Sequence, residues 1–217
     1  MIKAAVVMLA VLLLAVPASA ATIVWDFAAI GPAGEQPAGT TFTSGGFTVS
    51  ATSIQPNGTL PPFGTTLEPI YVKTGGGDEN GLGACLASGN CGPDFEIDNS
   101  PRDILRIDRD TLPLTNWTFQ MGSTTNGEVW HVWVSDSPNC ATGCLNIGTG
   151  ADELVSHNLP DAGRFIFFGT DAPINTGDTL LHLLSAQTVP EPASLILLGL
   201  GLSGLGVALR RRKAARA

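Results

Sequence analysis

The sequence predicts an all-β body, an antiparallel β-sandwich, and three observations predict it. Eight short runs rich in β-branched and aromatic residues are divided by Gly, Pro, Asn and Asp, which is how two packed sheets of short strands read along a chain. No stretch between residues 21 and 188 repeats its apolar residues convincingly at helical spacing. Val129, His131 and Trp133 alternate with Trp130, Val132 and Val134, which sends two sets of side chains to opposite faces of one strand.

Taken in order, Met1, Ile2 and Lys3 form a short positive start, residues 4–16 are an unbroken apolar run, and Pro17, Ala18, Ser19 and Ala20 end it in small side chains. This is the pattern of a secretory signal peptide, residues 1–20, cleaved after Ala20. The run is too short to span a bilayer comfortably. The exported body, 21–188, follows. Its strands are expected at 22–27 (TIVWDF), 47–52 (FTVSAT), 70–73 (IYVK), 103–107 (DILRI), 116–120 (NWTFQ), 129–135 (VWHVWVS), 164–168 (RFIFF) and 179–186 (TLLHLLSA). These residue types suit a pleated, half-buried surface. The 129–135 strand is expected to be interior to its sheet. Leu180, Leu181, Leu183 and Leu184 would also fit a helical turn, but a closing strand here completes the sandwich. Residues 53–69 and 74–93 are rich in Gly and Pro and are expected as long loops.

The last segment, 189–217, has three parts: Val189, Pro190, Glu191 and Pro192; an uncharged glycine-rich stretch, 193–209; and the basic cluster Arg210, Arg211, Arg212, Lys213 and Arg216. As a helix the uncharged stretch reaches roughly 25 Å, near the lower limit for a membrane span. The basic cluster then acts as a stop to transfer and stays in the cytoplasm. Pro-Glu-Pro, a glycine-rich apolar helix and terminal arginines in this order resemble the PEP-CTERM sorting domain of bacteria that make extracellular polysaccharide. The resemblance implies that a membrane-embedded cysteine protease, an exosortase, reads Pro190-Glu191-Pro192, cuts there and releases or re-attaches the body. It also implies as partners the general secretion machinery, the inner membrane for a time, and extracellular polysaccharide.

The body holds five basic residues, Lys73, Arg102, Arg106, Arg109 and Arg164, and every acidic residue except Glu191, so it is more acidic than the −8 of the whole chain. Such a surface repels nucleic acid, which is excluded as a partner. Its four cysteines, Cys85, Cys91, Cys140 and Cys144, read as disulfides in an oxidising compartment. Three pairings are open. The local one, Cys85 with Cys91 and Cys140 with Cys144, is favoured because each pair brackets a Gly/Asn-rich loop. A four-thiolate zinc site fits the spacing less well.

A candidate calcium site comes from Asp78, Glu79 and Asn80 in a glycine-rich loop, with Glu96 and Asp98 further on. Hard oxygen donors are what calcium needs, and Glu96 and Asp98, two apart on an extended segment, share a face. The Gly-Leu-Gly loop ahead of Glu-Ile-Asp-Asn also resembles exported bacterial jelly-roll domains. The rival reading is an acidic solvated loop. Trp130 and Trp133 invite a sugar-stacking role, but strand periodicity puts them on opposite faces, leaving Trp133 or His131 as the ligand contact. No nucleophile-bearing or metalloprotease motif accompanies His131, His157 or His182, so no enzyme is expected. The expected role is structural or adhesive, at the cell surface or in a polysaccharide-rich matrix. A calcium-dependent carbohydrate-binding module is the alternative, and a polysaccharide hydrolase ranks third.

Overall fold

The computed structural model describes residues 19–55, 61–85, 91, 96–98, 103–110, 112–124, 128–170, 178–190, 199, 201 and 203. Residues 22–188 form one compact unit, while 1–21 and 189–217 group apart from it. The strands are β1 (Thr22–Asp26), β2 (Gly34–Gln36), β3 (Thr40–Ser44), β4 (Phe47–Ile54), β5 (Leu67–Glu68), β6 (Ile70–Thr74), β7 (Asn80–Ala84) and β8 (Ile97–Asp98). After them come β9 (Ile104–Asp108), β10 (Leu114–Gly122), β11 (Trp130–Ser135), β12 (Leu145–Gly150), β13 (His157–Asn158), β14 (Phe165–Thr170) and β15 (Asp178–Thr188). One helical turn, α1 (Phe27–Ile30), follows β1 and is capped by Asp26, whose carboxylate accepts the Ala29 N–H at 3.1 Å.

Two antiparallel sheets pack face to face. One runs β13-β10-β15-β7-β6-β2, with β1 and β8 also paired to β15; the other runs β12-β11-β14-β9-β4-β3, with β5 on β4. From β8 onward the chain passes repeatedly between the sheets, as a jelly-roll-like sandwich requires. All eight expected runs are strands. The leucine-rich 179–186 run is one of them, because Leu181 and Leu184 turn into the core while Ser185 meets the Thr118 hydroxyl at 2.6 Å on the neighbouring strand.

The inner faces build the main core. Trp25 stacks on Trp117 with ring centres 5.5 Å apart, and Phe119 meets Trp130 and Phe168 edge-on at 5.3 and 5.4 Å. A second, smaller cluster lies on the outer face of the β11–β14 sheet: Ile54, Phe63, Ile104, Trp133, Phe165 and Phe167. That explains why β11 and β14 are buried along their whole length. Period-two alternation sends one set of residues to each core.

Both expected loops are shorter than the sequence reading placed them. β4 runs on to Ile54 and β5 closes the 53–69 segment; Phe63, between them, donates its N–H to the Asn139 carbonyl at 2.9 Å and covers Trp133. Within 74–93, β6 runs on to Thr74 and β7 pairs back onto it. The sequence Asn-Gly-Leu-Gly-Ala has little strand propensity, and tertiary pairing overrides that.

Candidate functional site

The acidic hairpin between β6 and β7 is organised around a cation of the chain's own. The Lys73 ammonium forms ion pairs with both Glu79 and Glu96. Ser123, at the end of β10, donates its hydroxyl to Glu79 at 3.1 Å. Lys73 stands above its ordinary value: burial lowers it, but the two carboxylates outweigh burial. Its contact with Lys73 holds Glu79 down. Burial pushes Glu96 up to about 7, against the pull of Lys73 and Ser123.

Of the five residues expected to gather around calcium, the fold brings Glu79 and Glu96 to one point. Asn80 is turned to other work: its side-chain carbonyl accepts the Gly76 N–H at 2.8 Å, and its backbone carbonyl accepts from His182 Nδ1 at 2.9 Å. Asp78 sits in the turn with its carbonyl against Gly122, and Asp98 pairs with Asp178 in the β8–β15 ladder. Among the described residues no group of three or more His, Cys, Asp or Glu is placed to hold a metal ion. The residue that sequence reasoning missed here is Lys73. Its signal was available, since it is the single lysine of an acidic body.

Two disulfides are formed, Cys85–Cys91 and Cys140–Cys144, with Cα atoms 3.9 and 5.0 Å apart. The sugar-stacking reading is corrected. Trp130 and Trp133 do face opposite ways, but each is buried at 4 % exposure. His131 is equally buried, stacks on Trp133 with ring centres 3.7 Å apart, and meets Asn146 Oδ1 at 2.9 Å. Neither ring offers a face to a ligand. His157 lies 3.1 Å from the Asp152 carboxylate and packs on Trp130.

At the C-terminal end, β15 is paired to its last residue, Thr188 opposite Leu114, and Gln187 lies opposite Thr22. Val189 follows at once and is 54 % exposed. The chain therefore leaves the sheet at the residue where the Pro-Glu-Pro segment begins. Residues 188–213 match the family model of the PEP-CTERM protein-sorting motif. No curated protein and no solved structure matches the chain. The PEP-CTERM motif implies export and membrane-associated sorting by an exosortase. Glu191, Pro192 and the basic residues Arg210, Arg211, Arg212 and Lys213 lie outside the described residues, as does residue 1–18 of the expected signal peptide. Of the expected membrane helix 193–209, only Gly199, Gly201 and Ser203 are described, all helical. Among the described residues no helix is long and apolar enough to cross a membrane.

Proposed function

We propose that the chain is an exported protein of the cell surface or extracellular matrix, delivered through its PEP-CTERM tail, with a structural or adhesive role in a polysaccharide-rich biofilm or envelope. The observation that carries this reading is the sorting motif at residues 188–213, attached directly to the closing strand of the sandwich. Pro190 and Pro192 cannot donate backbone hydrogen bonds and hold their preceding residues extended, the form in which a protease cleft takes a substrate. Glu191 between them supplies a charge that stays out of lipid. The mature protein then begins at Ala21 and lacks 195–217. Intact mass of protein released from the matrix reads both ends at once, and Glu191→Ala is expected to leave an uncut membrane-bound precursor. Released protein with its arginine tail still attached would make the segment a permanent anchor.

The second reading is a calcium-dependent carbohydrate-binding module. It rests on the convergence of Glu79 and Glu96, and it requires calcium to enter beside, or displace, the Lys73 ammonium. A melting temperature that falls on chelation and returns with calcium would support it.

A further inference from the structure

At the end of the sandwich where β9 and β11 finish and β14 begins, a cleft of about 210 Å³ is lined by Arg109, Asp110, Leu112, Trp117, Asp136 and Asp161, with Gly163 and Arg164 completing it. Arg109 is only 2 % exposed. Its guanidinium lies over the Trp117 ring at 5.0 Å, and Trp117 stacks in turn on Trp25. Nε donates to the Gly163 carbonyl at 2.6 Å, while Nη2 donates to Pro160 and Ala162 at 2.8 and 2.6 Å. Nη1 has no hydrogen-bond partner among the described residues. A buried cation that bonds only neutral carbonyls and keeps one donor nitrogen unused is costly to fold. Burial accordingly lowers its pKa to about 10, which still leaves it charged at neutral pH.

The surrounding charges decide what such a cleft takes. Arg164 is committed to Asp108, gripping the carboxylate through Nε at 2.9 Å and Nη2 at 2.7 Å. Its Nη2 also lies 3.9 Å from the Asp110 carboxylate, which leaves the Arg109 guanidinium facing two exposed carboxylates, Asp136 and Asp161. Asp136 accepts the Arg164 N–H through one oxygen at 3.0 Å and keeps the other as an acceptor. An anionic ligand would meet more negative than positive charge, and a metal ion would meet a fixed guanidinium among its ligands. A neutral ligand carrying several hydroxyls fits both signs, since its O–H groups donate to carboxylates and its oxygens accept from a guanidinium. The volume is below the usual range for drug-sized ligands and suits a single sugar ring.

We propose that this cleft binds one neutral hexose unit of a polysaccharide, with Arg109 as central donor and Asp136 and Asp161 as hydroxyl acceptors. It rests on the reading of the body as a matrix protein and gives that body its point of contact. It also accounts for a buried arginine that the rest of the fold leaves partly unused.

The test is a heteronuclear NMR titration of the mature body with d-glucose, d-galactose and d-mannose in turn, and with d-glucuronate as the anionic comparison. At least one neutral hexose is expected to give saturable shifts at Arg109 Nε–H and the Gly163 and Arg164 amides, with a Kd in the range of about 1–20 mM. Glucuronate is expected to bind about tenfold more weakly. Asp161→Asn, at an exposed position, should weaken the hexose about tenfold while the rest of the spectrum stays in place. Arg109→Lys should remove binding, and if it fails to fold the Asp161 variant still decides. The proposal is overturned if all three hexoses leave these signals unmoved up to about 50 mM, if the shifts fall elsewhere, or if glucuronate binds more tightly. Because matrix delivery is read separately from the mature mass, a silent cleft would sink this site alone.

Discussion

Asp103 is a carboxylate 2 % exposed whose Oδ1 has no hydrogen-bond partner among the described residues, and burial alone pushes it up to about 7. Between its ordinary value near 3.8 and about 7 the folded state holds a proton that the unfolded chain has released. Its contribution to stability is therefore fully present below the lower value and lost as pH rises through the upper one. Glu96 acts in the same direction from 4.5 to about 7. Asp103→Asn removes the charge and keeps the shape, so we expect it to raise the unfolding free energy at pH 7.5 by at most about 4 kcal/mol. At pH 4 it should do little. Urea titrations at the two pH values check this, and a wild-type midpoint that is flat from pH 4 to 7.5 would contradict it. The sequence reads Asp103 as the first residue of the expected 103–107 strand, and a charged residue at a strand end does not announce burial. Burial of a single carboxylate is set by which sheets close over it, and that is information of long range.

At the scale of elements, the strands legible in the sequence were those whose own residues favour a pleated surface. β1, β11 and β14 carry Val, Ile, Trp and Phe in runs. β7 and β12, Asn-Gly-Leu-Gly-Ala and Leu-Asn-Ile-Gly-Thr-Gly, carry two glycines each and were not legible. Their neighbours make them strands: β6 pairs with β7 from Thr74–Asn80 to Ile70–Ala84, and β11 pairs with β12. Gly81 shows why glycine is used there. Its φ is 148°, and a Cβ on it would lie 2.5 Å from the Leu181 carbonyl oxygen, so only a residue without a side chain lets β7 approach β15. Gly81→Ala is expected to lower stability by about 1–3 kcal/mol through strain and that contact. The amides of Leu82 and Leu181 should lose hydrogen-exchange protection first, and an unchanged midpoint would show that the β7–β15 contact yields without cost. The disulfides were legible because their logic is local: each joins cysteines only six or four residues apart in sequence.

For the molecule as a whole, the boundary between the sorted body and its sorting signal falls at a definite residue, because the closing strand is held on both edges until it stops. Gln187 lies opposite Thr22 on one side and Thr115 on the other, Ala186 is fully buried opposite Ile23, and Thr188 is opposite Leu114. Beyond Thr188, Val189 and Pro190 are exposed, and among the described residues no ladder continues. The sorting tail was legible because order, charge and chain position carry its signal without a fold. Its junction with the body was not, because where a strand ends depends on distant partners: Leu114 lies 74 residues from Thr188 and Thr22 lies 165 residues from Gln187. Removal of the tail should therefore leave the body intact. A chain of residues 21–190 is expected to unfold cooperatively, with a stability within about 0.5 kcal/mol of that of the chain 21–217, as for changes away from any buried feature. Shortening it to end at Leu184 removes Ser185 to Thr188, with the buried Ala186, the Thr118 hydroxyl contact and the last pairings to β1 and β10. That loss should lower the stability by several kcal/mol, on the order of 1 kcal/mol for each hydrogen bond removed. Urea denaturation of the two chains side by side separates the cases: a marked drop already at residue 190 would mean that residues beyond the sheet help to hold the body, so that cutting the motif would weaken what it delivers.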